Sequence, residues 1–227
     1  MRAIDLSLPA ARRILDFGCG SGWVLAEAAK TGSPLCVGVD YSLKSLQGIG
    51  VPVQNDEAVT SDVHLVAGSG LSLPFANEVF DVVVGHVSMP YLNTRAGLQE
   101  IYRVLAPGGS ILLTFHSVRY LTETLGKSLA AGHWKNVIFM GYLAVNGLLN
   151  HFSLPQTQLW WNRSVFETIN TAAGISATAR RAGFVMISIE LVADRMFFAM
   201  TARKPGPNGV LPAPAYAIYS KLLSTGL

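Results

Sequence analysis

The segment Leu15-Asp16-Phe17-Gly18-Cys19-Gly20-Ser21-Gly22-Trp23 has residue types and spacing suited to holding a ligand. A short apolar run ends in an acid and passes into three alternate glycines, and a helical pattern opens behind them. Glycines at 18, 20 and 22 let the backbone turn tightly and approach a bound molecule, while the start of a helix offers unpaired N–H donors. The Gly-x-Gly-x-Gly spacing is one residue shorter than the Gly-x-Gly-x-x-Gly of dinucleotide-binding turns. Asp40 lies 20 residues after Gly20 and closes the next apolar run, followed by Tyr41. A carboxylate there, at the carboxyl edge of a parallel sheet, can accept hydrogen bonds from a ribose diol; it can also cap the helical segment that starts at Ser42. His116, His133 and His151 are the visible proton acceptors, each with a second reading as a structural or surface histidine. His86 stands at a strand end, with two readings: its backbone or side chain faces a ligand, or it is a merely structural histidine.

The elements that must position these groups follow from the pattern of apolar residues. Short apolar runs at Arg13–Phe17, Leu35–Val39, His64–Ala67, Phe80–Val87 and Ser110–His116 alternate with helical segments at Trp23–Lys30, Ser42–Ile49 and Arg95–Leu105. Such alternation predicts an α/β fold, a Rossmann-like doubly wound sheet that is mostly parallel, with helices on both faces. Pro107-Gly108-Gly109 is expected to stop the third helix and turn the chain. Beyond residue 116 the rhythm breaks, and residues 117–163 read as a helical insertion rich in bulky side chains: Tyr120, Trp134, Phe139, Met140, Tyr142, Phe152, Trp160 and Trp161. A helix from about Ser164 to Ala182 then leads into two runs, Phe184–Val192 and Arg195–Arg203. They are separated only by Ala193-Asp194, so they must pair antiparallel. The expected sheet therefore has seven strands with an antiparallel last one. Residues 1–116 and 164–204 form the main domain, and 205–227 a proline-bearing tail with a short apolar helix at Tyr216–Leu223.

Composition narrows the function classes. Of 227 residues, 50% are apolar and only 14% charged, which supplies a large core and argues against disorder. Mean hydropathy is +0.37, yet the longest strongly apolar stretch, Val137–Leu149, falls short of the ~20 residues a spanning helix needs. Peripheral contact of that stretch with a membrane stays open as a reading. The net charge of +3 comes from scattered basic residues, not a patch that would track a nucleic-acid backbone. Two cysteines, with no Cys-x-x-Cys pair and no histidine cluster at ligand spacing, suggest neither a disulfide framework nor a metal site. A reducing, cytoplasmic setting is expected.

Taken in order, the motifs resemble those of the class I S-adenosylmethionine-dependent methyltransferases, most closely the small-molecule branch that includes ubiquinone and menaquinone biosynthesis enzymes. The glycine loop and Asp40 match, as do Leu73-Pro74-Phe75, Phe80-Asp81-Val82-Val83-Val84 and Arg103-Val104-Leu105-Ala106-Pro107-Gly108-Gly109. The resemblance covers residues 12–116 by motif and 164–204 by topology. It implies S-adenosylmethionine as cofactor, S-adenosylhomocysteine as product, and no metal. It also implies that Asp16, Gly18, Cys19, Gly20 and Gly22 hold the methionine portion. Asp40, with Tyr41, would bind the ribose, Ser69, Gly70 and Leu71 would flank the adenine, and His86 would stand beside the donor. Where the family usually has an acid ahead of Leu-Pro-Phe, this chain has Gly68-Ser69-Gly70; a serine hydroxyl makes a weaker acceptor for the adenine amino group. The loop Gly85–Tyr91 lacks the Asn-Pro-Pro-Tyr form used on DNA or protein glutamine.

The acceptor is then expected to be a small, largely apolar or aromatic molecule, with Tyr91, Trp134 and Tyr142 as substrate-binding candidates and the insertion acting as a lid. A catalytically inactive S-adenosylmethionine-binding partner protein and a nicotinamide-dependent oxidoreductase are the alternatives. The latter would need the other glycine spacing and a proton donor such as Tyr-x-x-x-Lys, which is absent from the sequence. Either a monomer or a homodimer is compatible with the sequence.

Overall fold

The computed structural model describes residues 13–30, 33–47, 62–152, 154, 157, 167–192 and 196–206. Strand β1 (Arg13–Phe17), helix α1 (Trp23–Ala29), β2 (Leu35–Asp40), β3 (Asp62–Ala67) and β4 (Phe80–His86) form the first part of the sheet. A short helical stretch covers 43–47. After β4 come a 3-10 turn (Met89–Tyr91), α2 (Thr94–Val104) and β5 (Leu105–His116). The insertion contributes α3 (Val118–Ala130) and α4 (Trp134–His151), and the chain closes with α5 (Ala172–Arg181), β6 (Val185–Val192) and β7 (Phe197–Arg203).

The sheet order is β3-β2-β1-β4-β5-β7-β6. The first five strands run parallel, and β7 lies antiparallel between β5 and β6. An all-parallel dinucleotide sheet has no such inserted strand. Strand order reverses between β1 and β4, and the glycine loop leaves β1 at that switch point, where open α/β sheets bind ligands.

Period-two alternation divides the core between the two faces. Leu15 and Phe17, with Val83, Ile111, Leu113 and Phe115, face α2 and α5 through Leu98, Ile101, Val104, Ile175 and Ala179. Ile14, Val82, Val84 and Leu112 face α1 through Val24, Leu25, Ala28 and Ala29. Burial on both faces explains why the central strands read as unbroken apolar runs.

Two boundaries differ from the sequence expectation. Helix α2 stops at Val104 and β5 starts at once, so Pro107-Gly108-Gly109 lies within the strand. The segment after β7 holds it extended: Gly108 N donates to Lys204 O at 3.0 Å and Lys204 N to Gly109 O at 3.0 Å. The Lys204 ammonium, nearly buried, donates to the carbonyls of Tyr102 (3.0 Å) and Leu105 (2.8 Å) and to Glu78 (3.1 Å). The last helix begins at Ala172 instead of near Ser164. Thr171 caps it by accepting from Gly174 N at 3.0 Å, and residues 167–171 are not helical. Thr168, Ile169 and Asn170 are buried in that stretch, with Thr168 N bonded to Pro90 O at 2.9 Å and Asn170 Oδ1 to Asn150 Nδ2 at 2.6 Å. These tertiary partners replace the helical ones. Trp160, Trp161, Ser164, the Ala193-Asp194 turn and the Tyr216–Leu223 segment lie outside the described residues.

Candidate functional site

A cavity of about 620 Å³ opens along the carboxyl edge of β1, β2 and β4. Nine of the residues singled out in the sequence line it: Gly18, Gly20, Asp40, Tyr41, Ser69, Gly70, Leu71, His86 and Tyr91. Phe17, Val39, Gly68, Val87, Ser88, Leu92 and Asn93 complete the wall. Phe17, Gly68, Val87 and Ser88 lie within segments the sequence had pointed to without being named as site residues, and Val39 ends the run before Asp40; Leu92 and Asn93 had no local signal.

The glycine loop is fastened to β2. Gly18 N and Cys19 N both donate to Val39 O, at 2.8 and 3.0 Å, and Gly20 N donates to Asp40 Oδ2 at 2.9 Å. Asp40 Oδ1 accepts from Ser42 N at 2.8 Å, an Asx turn ahead of the 43–47 stretch, whose cap is Ser42 itself, its Oγ accepting from Ser45 N at 3.2 Å. Each carboxylate oxygen still has a lone pair for a further donor. Gly18 sits at φ +69, and a Cβ there would collide with Ser88 Cβ, so residue 18 must be glycine for conformation and space alike. At Gly70 a Cβ would come within 2.6 Å of the Phe17 ring. The floor is therefore backbone and the far wall bends closely over it.

Asp16, Cys19 and Gly22 do not line the cavity. Alternation turns the Asp16 side chain to the α1 face, where it is buried facing the Leu25 amide, with neither oxygen in a hydrogen bond of good geometry. Burial pushes its carboxyl from 3.8 up to about 7, an effect tempered by the Leu25 amide and reinforced by the charge of Asp40. The Cys19 thiol is pushed to about 12 by burial, with Asp16 and Asp40 adding to it.

The loop after β4 carries backbone strain. Val87 sits at φ +51, a left-handed conformation that a β-branched residue avoids at a cost of order 1–3 kcal/mol. Thr114 holds it there, accepting the Val87 amide through its carbonyl and its hydroxyl, both at 3.2 Å. The same hydroxyl lies 3.0 Å from His86 Nδ1, and the His86 ring meets Trp23 edge-on at 5.0 Å. Burial lowers the His86 pKa. Ser88 Oγ is buried beside this strained residue with no hydrogen-bond partner, a free polar group in the cavity wall.

The remaining candidates lie elsewhere. His116 stacks on Tyr120 at 3.9 Å and its pKa is lowered to about 4, by burial first and His86 second, so it is a weak base. His133 precedes α4 as its exposed N-cap, and His151 Nδ1 lies 3.0 Å from Thr171 Oγ1. Trp134 is 66% exposed, and the Tyr142 hydroxyl donates to Thr157 O at 3.0 Å; neither lines the cavity.

A staple between two motifs supports the 68–71 side of the cavity. Arg103 donates to Leu73 O (2.9 Å), Phe75 O (2.8 Å), Asn77 Oδ1 (2.9 Å) and both oxygens of Glu100, while Glu100 accepts from Leu73 N at 2.8 Å. The Leu-Pro-Phe turn is thereby tied to α2, and with it the preceding 68–71 segment. Among the described residues no three His, Cys, Asp or Glu side chains could hold a metal ion.

Comparison with known proteins agrees with this geometry. Residues 15–113 match the methyltransferase-domain family. A demethylmenaquinone methyltransferase of Corynebacterium kroppenstedtii is 38% identical over 100 residues, 44% of this chain and 39% of that protein. One from Lactococcus lactis is 27% identical over 202 residues, 86% of this chain and 75% of that protein. In the first of these relatives the match spans only about two fifths of the length. A solved S-adenosylmethionine-dependent methyltransferase from Mesorhizobium loti superposes with a TM-score of 0.60 at 18% identity, over 87% of this chain and 94% of that one, which speaks for the fold. Sheet order and sequence match converge: the chain has a Rossmann-like methyltransferase fold, its residues 15–113 match the methyltransferase-domain family, and it resembles the class I S-adenosylmethionine-dependent methyltransferases of quinone biosynthesis.

Proposed function

We propose that the chain transfers a methyl group from S-adenosylmethionine to a small, largely apolar or aromatic acceptor of the demethylmenaquinone kind. The observation that carries this reading is the cavity itself: a backbone floor at Gly18 and Gly20, a part-buried carboxylate at Asp40, and a wall made mainly of apolar side chains. These residues suit the cofactor. Asp40 offers two oxygens already oriented by the Gly20 and Ser42 amides, the geometry a vicinal diol needs. Gly68, Ser69, Gly70 and Leu71 line the cavity beside Phe17, whose ring packs directly on Gly70.

When bound, the cofactor supplies a methyl group activated by its sulfonium sulfur. Asp40 and the backbone at Gly18 and Gly20 would hold the cofactor, and methyl transfer to an acceptor carbon, nitrogen or oxygen would leave the carbon–sulfur pair on sulfur and give up the acceptor's proton to solvent or a nearby base. The chain's own contribution is alignment and exclusion of water, which can supply roughly 7–11 kcal/mol. Val87, fixed by Thr114, and its neighbour Ser88 in the cavity wall are the groups best placed to align an acceptor. His86, kept neutral by burial, can accept a proton, and Tyr91 stands at the rim.

The test is calorimetric titration with S-adenosylhomocysteine, followed by incubation with methyl-labelled donor and a short-chain demethylmenaquinol. Saturable binding that weakens about 10- to 100-fold in Asp40→Ala, together with label transfer, is expected, because a charged acceptor contributes ~1.5–3 kcal/mol. Absence of binding at millimolar ligand sinks the cofactor reading. Saturable binding without transfer, to the quinol or to a metabolite extract, would identify a non-catalytic binding partner protein.

A further inference from the structure

Helix α4 buries two asparagines on one side and exposes an apolar stripe on the other. Trp134, Ile138, Val145, Leu148 and Phe152, the last just past its end, are each between 53% and 67% exposed. At about 100° per residue these five, with the exposed Gly141 among them, fall within an arc of roughly 80°. No polar side chain interrupts that arc over a length of ~27 Å. The opposite side carries Asn146 and Asn150, both buried, alongside Met140 and Leu143. Asn146 donates to Thr157 O and Glu167 O at 2.9 and 3.1 Å, and Asn150 bonds Asn170, so the polar side is committed to the protein interior. A helix facing water shows the reverse arrangement, and a continuous exposed apolar stripe marks a contact surface.

We propose that this stripe rests on the surface of a lipid bilayer, with α4 lying in the interface plane. Charge favours a bilayer over an arbitrary protein partner. Residues 117–152 contain one acid, Glu123, which is ion-paired to Arg119, and two further basic residues, Lys127 and Lys135, both exposed. Lys135 flanks the stripe next to Trp134, a pairing suited to anionic headgroups and the headgroup–acyl boundary. Among the described residues no helix is long and apolar enough to cross a membrane, so α4 lies on the surface and does not span it. The proposed lipophilic acceptor gives such a surface a purpose, since a molecule of that kind partitions into bilayers; to that extent the inference rests on the reading above.

The test is flotation of the full chain with vesicles of phosphatidylethanolamine and phosphatidylglycerol, and with phosphatidylcholine alone. The wild-type chain is expected to float with the mixed vesicles and more weakly with phosphatidylcholine. Ile138→Asp/Leu148→Asp should bind about tenfold or more weakly, with an unchanged circular dichroism spectrum and unchanged S-adenosylhomocysteine affinity. Tryptophan emission gives a second measurement that does not depend on that variant. Vesicles should shift it to shorter wavelength in the wild type, and Trp134→Phe should lose most of the shift. A chain that stays in the aqueous phase with every vesicle, or a double variant that floats as well as the wild type, overturns the proposal. So does a solution dimer that the double variant dissociates, because a second copy would then cover the stripe. Loss of methyl transfer with vesicle binding intact would overturn only the acceptor reading.

Discussion

Asp16, buried, and His116, half-buried, are ionisable groups displaced in opposite directions, and their contributions to stability oppose one another. The Asp16 carboxyl rises from 3.8 to about 7, so the folded chain holds that proton more tightly than the unfolded one. Its contribution is fully present below pH ~4 and is lost as pH rises through about 7. His116 falls from 6.5 to about 4; its contribution is present above 6.5 and is lost as pH falls through about 4. Between pH 4 and 6.5 the two slopes, each at most about 1.4 kcal/mol per pH unit, largely cancel. Asp16→Asn removes one of them. Urea denaturation across this range should show the variant losing stability on acidification more steeply than the wild type, and a parallel pair of curves would contradict the raised Asp16 carboxyl. Much of the candidate site was legible at this scale. Gly18, Gly20 and Asp40 announced themselves by spacing because a backbone floor and a diol acceptor need those residue types. Asp16 was read as a direct contact, whereas strand alternation turns it to the α1 side, a distinction that motif matching alone does not make.

Elements were legible where local pattern and tertiary need agreed. The apolar face of α2, with its Asn93 cap accepting from Ala96 N, was visible as periodicity. The starts of β5 and α5 were not, because Lys204 and the Asn150–Asn170 and Thr168–Pro90 bonds, all distant in sequence, decide them. The joint recurrence of Leu73-Pro74-Phe75 and Arg103 in the family pattern has its physical account in the guanidinium staple. A planar fork reaches two carbonyls, an amide oxygen and a carboxylate at once; an ammonium cannot. Arg103→Lys should therefore destabilise the chain by about 2–3 kcal/mol, since it strands buried carbonyls. It should also speed amide exchange at 68–75, measured by mass spectrometry, and weaken S-adenosylhomocysteine binding. Unchanged exchange there would show that the turn is held by other contacts.

For the molecule as a whole, the apolar excess in the composition was expected in three places: the parallel strands, the antiparallel hairpin, and the insertion at 117–163 with the tail helix. The sheet accounts for its share. The insertion's share divides differently, because composition does not say which way a side chain points: Met140 and Leu143 go inward, and Trp134, Ile138 and Leu148 outward. Cysteine burial has a kinetic consequence at the same scale. Cys19 and Cys36 are both buried and in no disulfide, and the thiol of Cys19, in the loop that lines the cavity, is all but impossible to ionise at neutral pH. Iodoacetamide should thus find no target in the closed molecule, and each alkylation records one excursion in which the chain has opened. Cys19 reports on lifting of the glycine loop, and Cys36, fully enclosed between strands and α1, on parting of the sheet core. S-adenosylhomocysteine should slow labelling of Cys19 more than that of Cys36, resolved by peptide mass spectrometry over time. Equal slowing would mean that the loop opens only when the whole sheet does; unequal slowing makes the two thiols separate clocks for the loop and for the core.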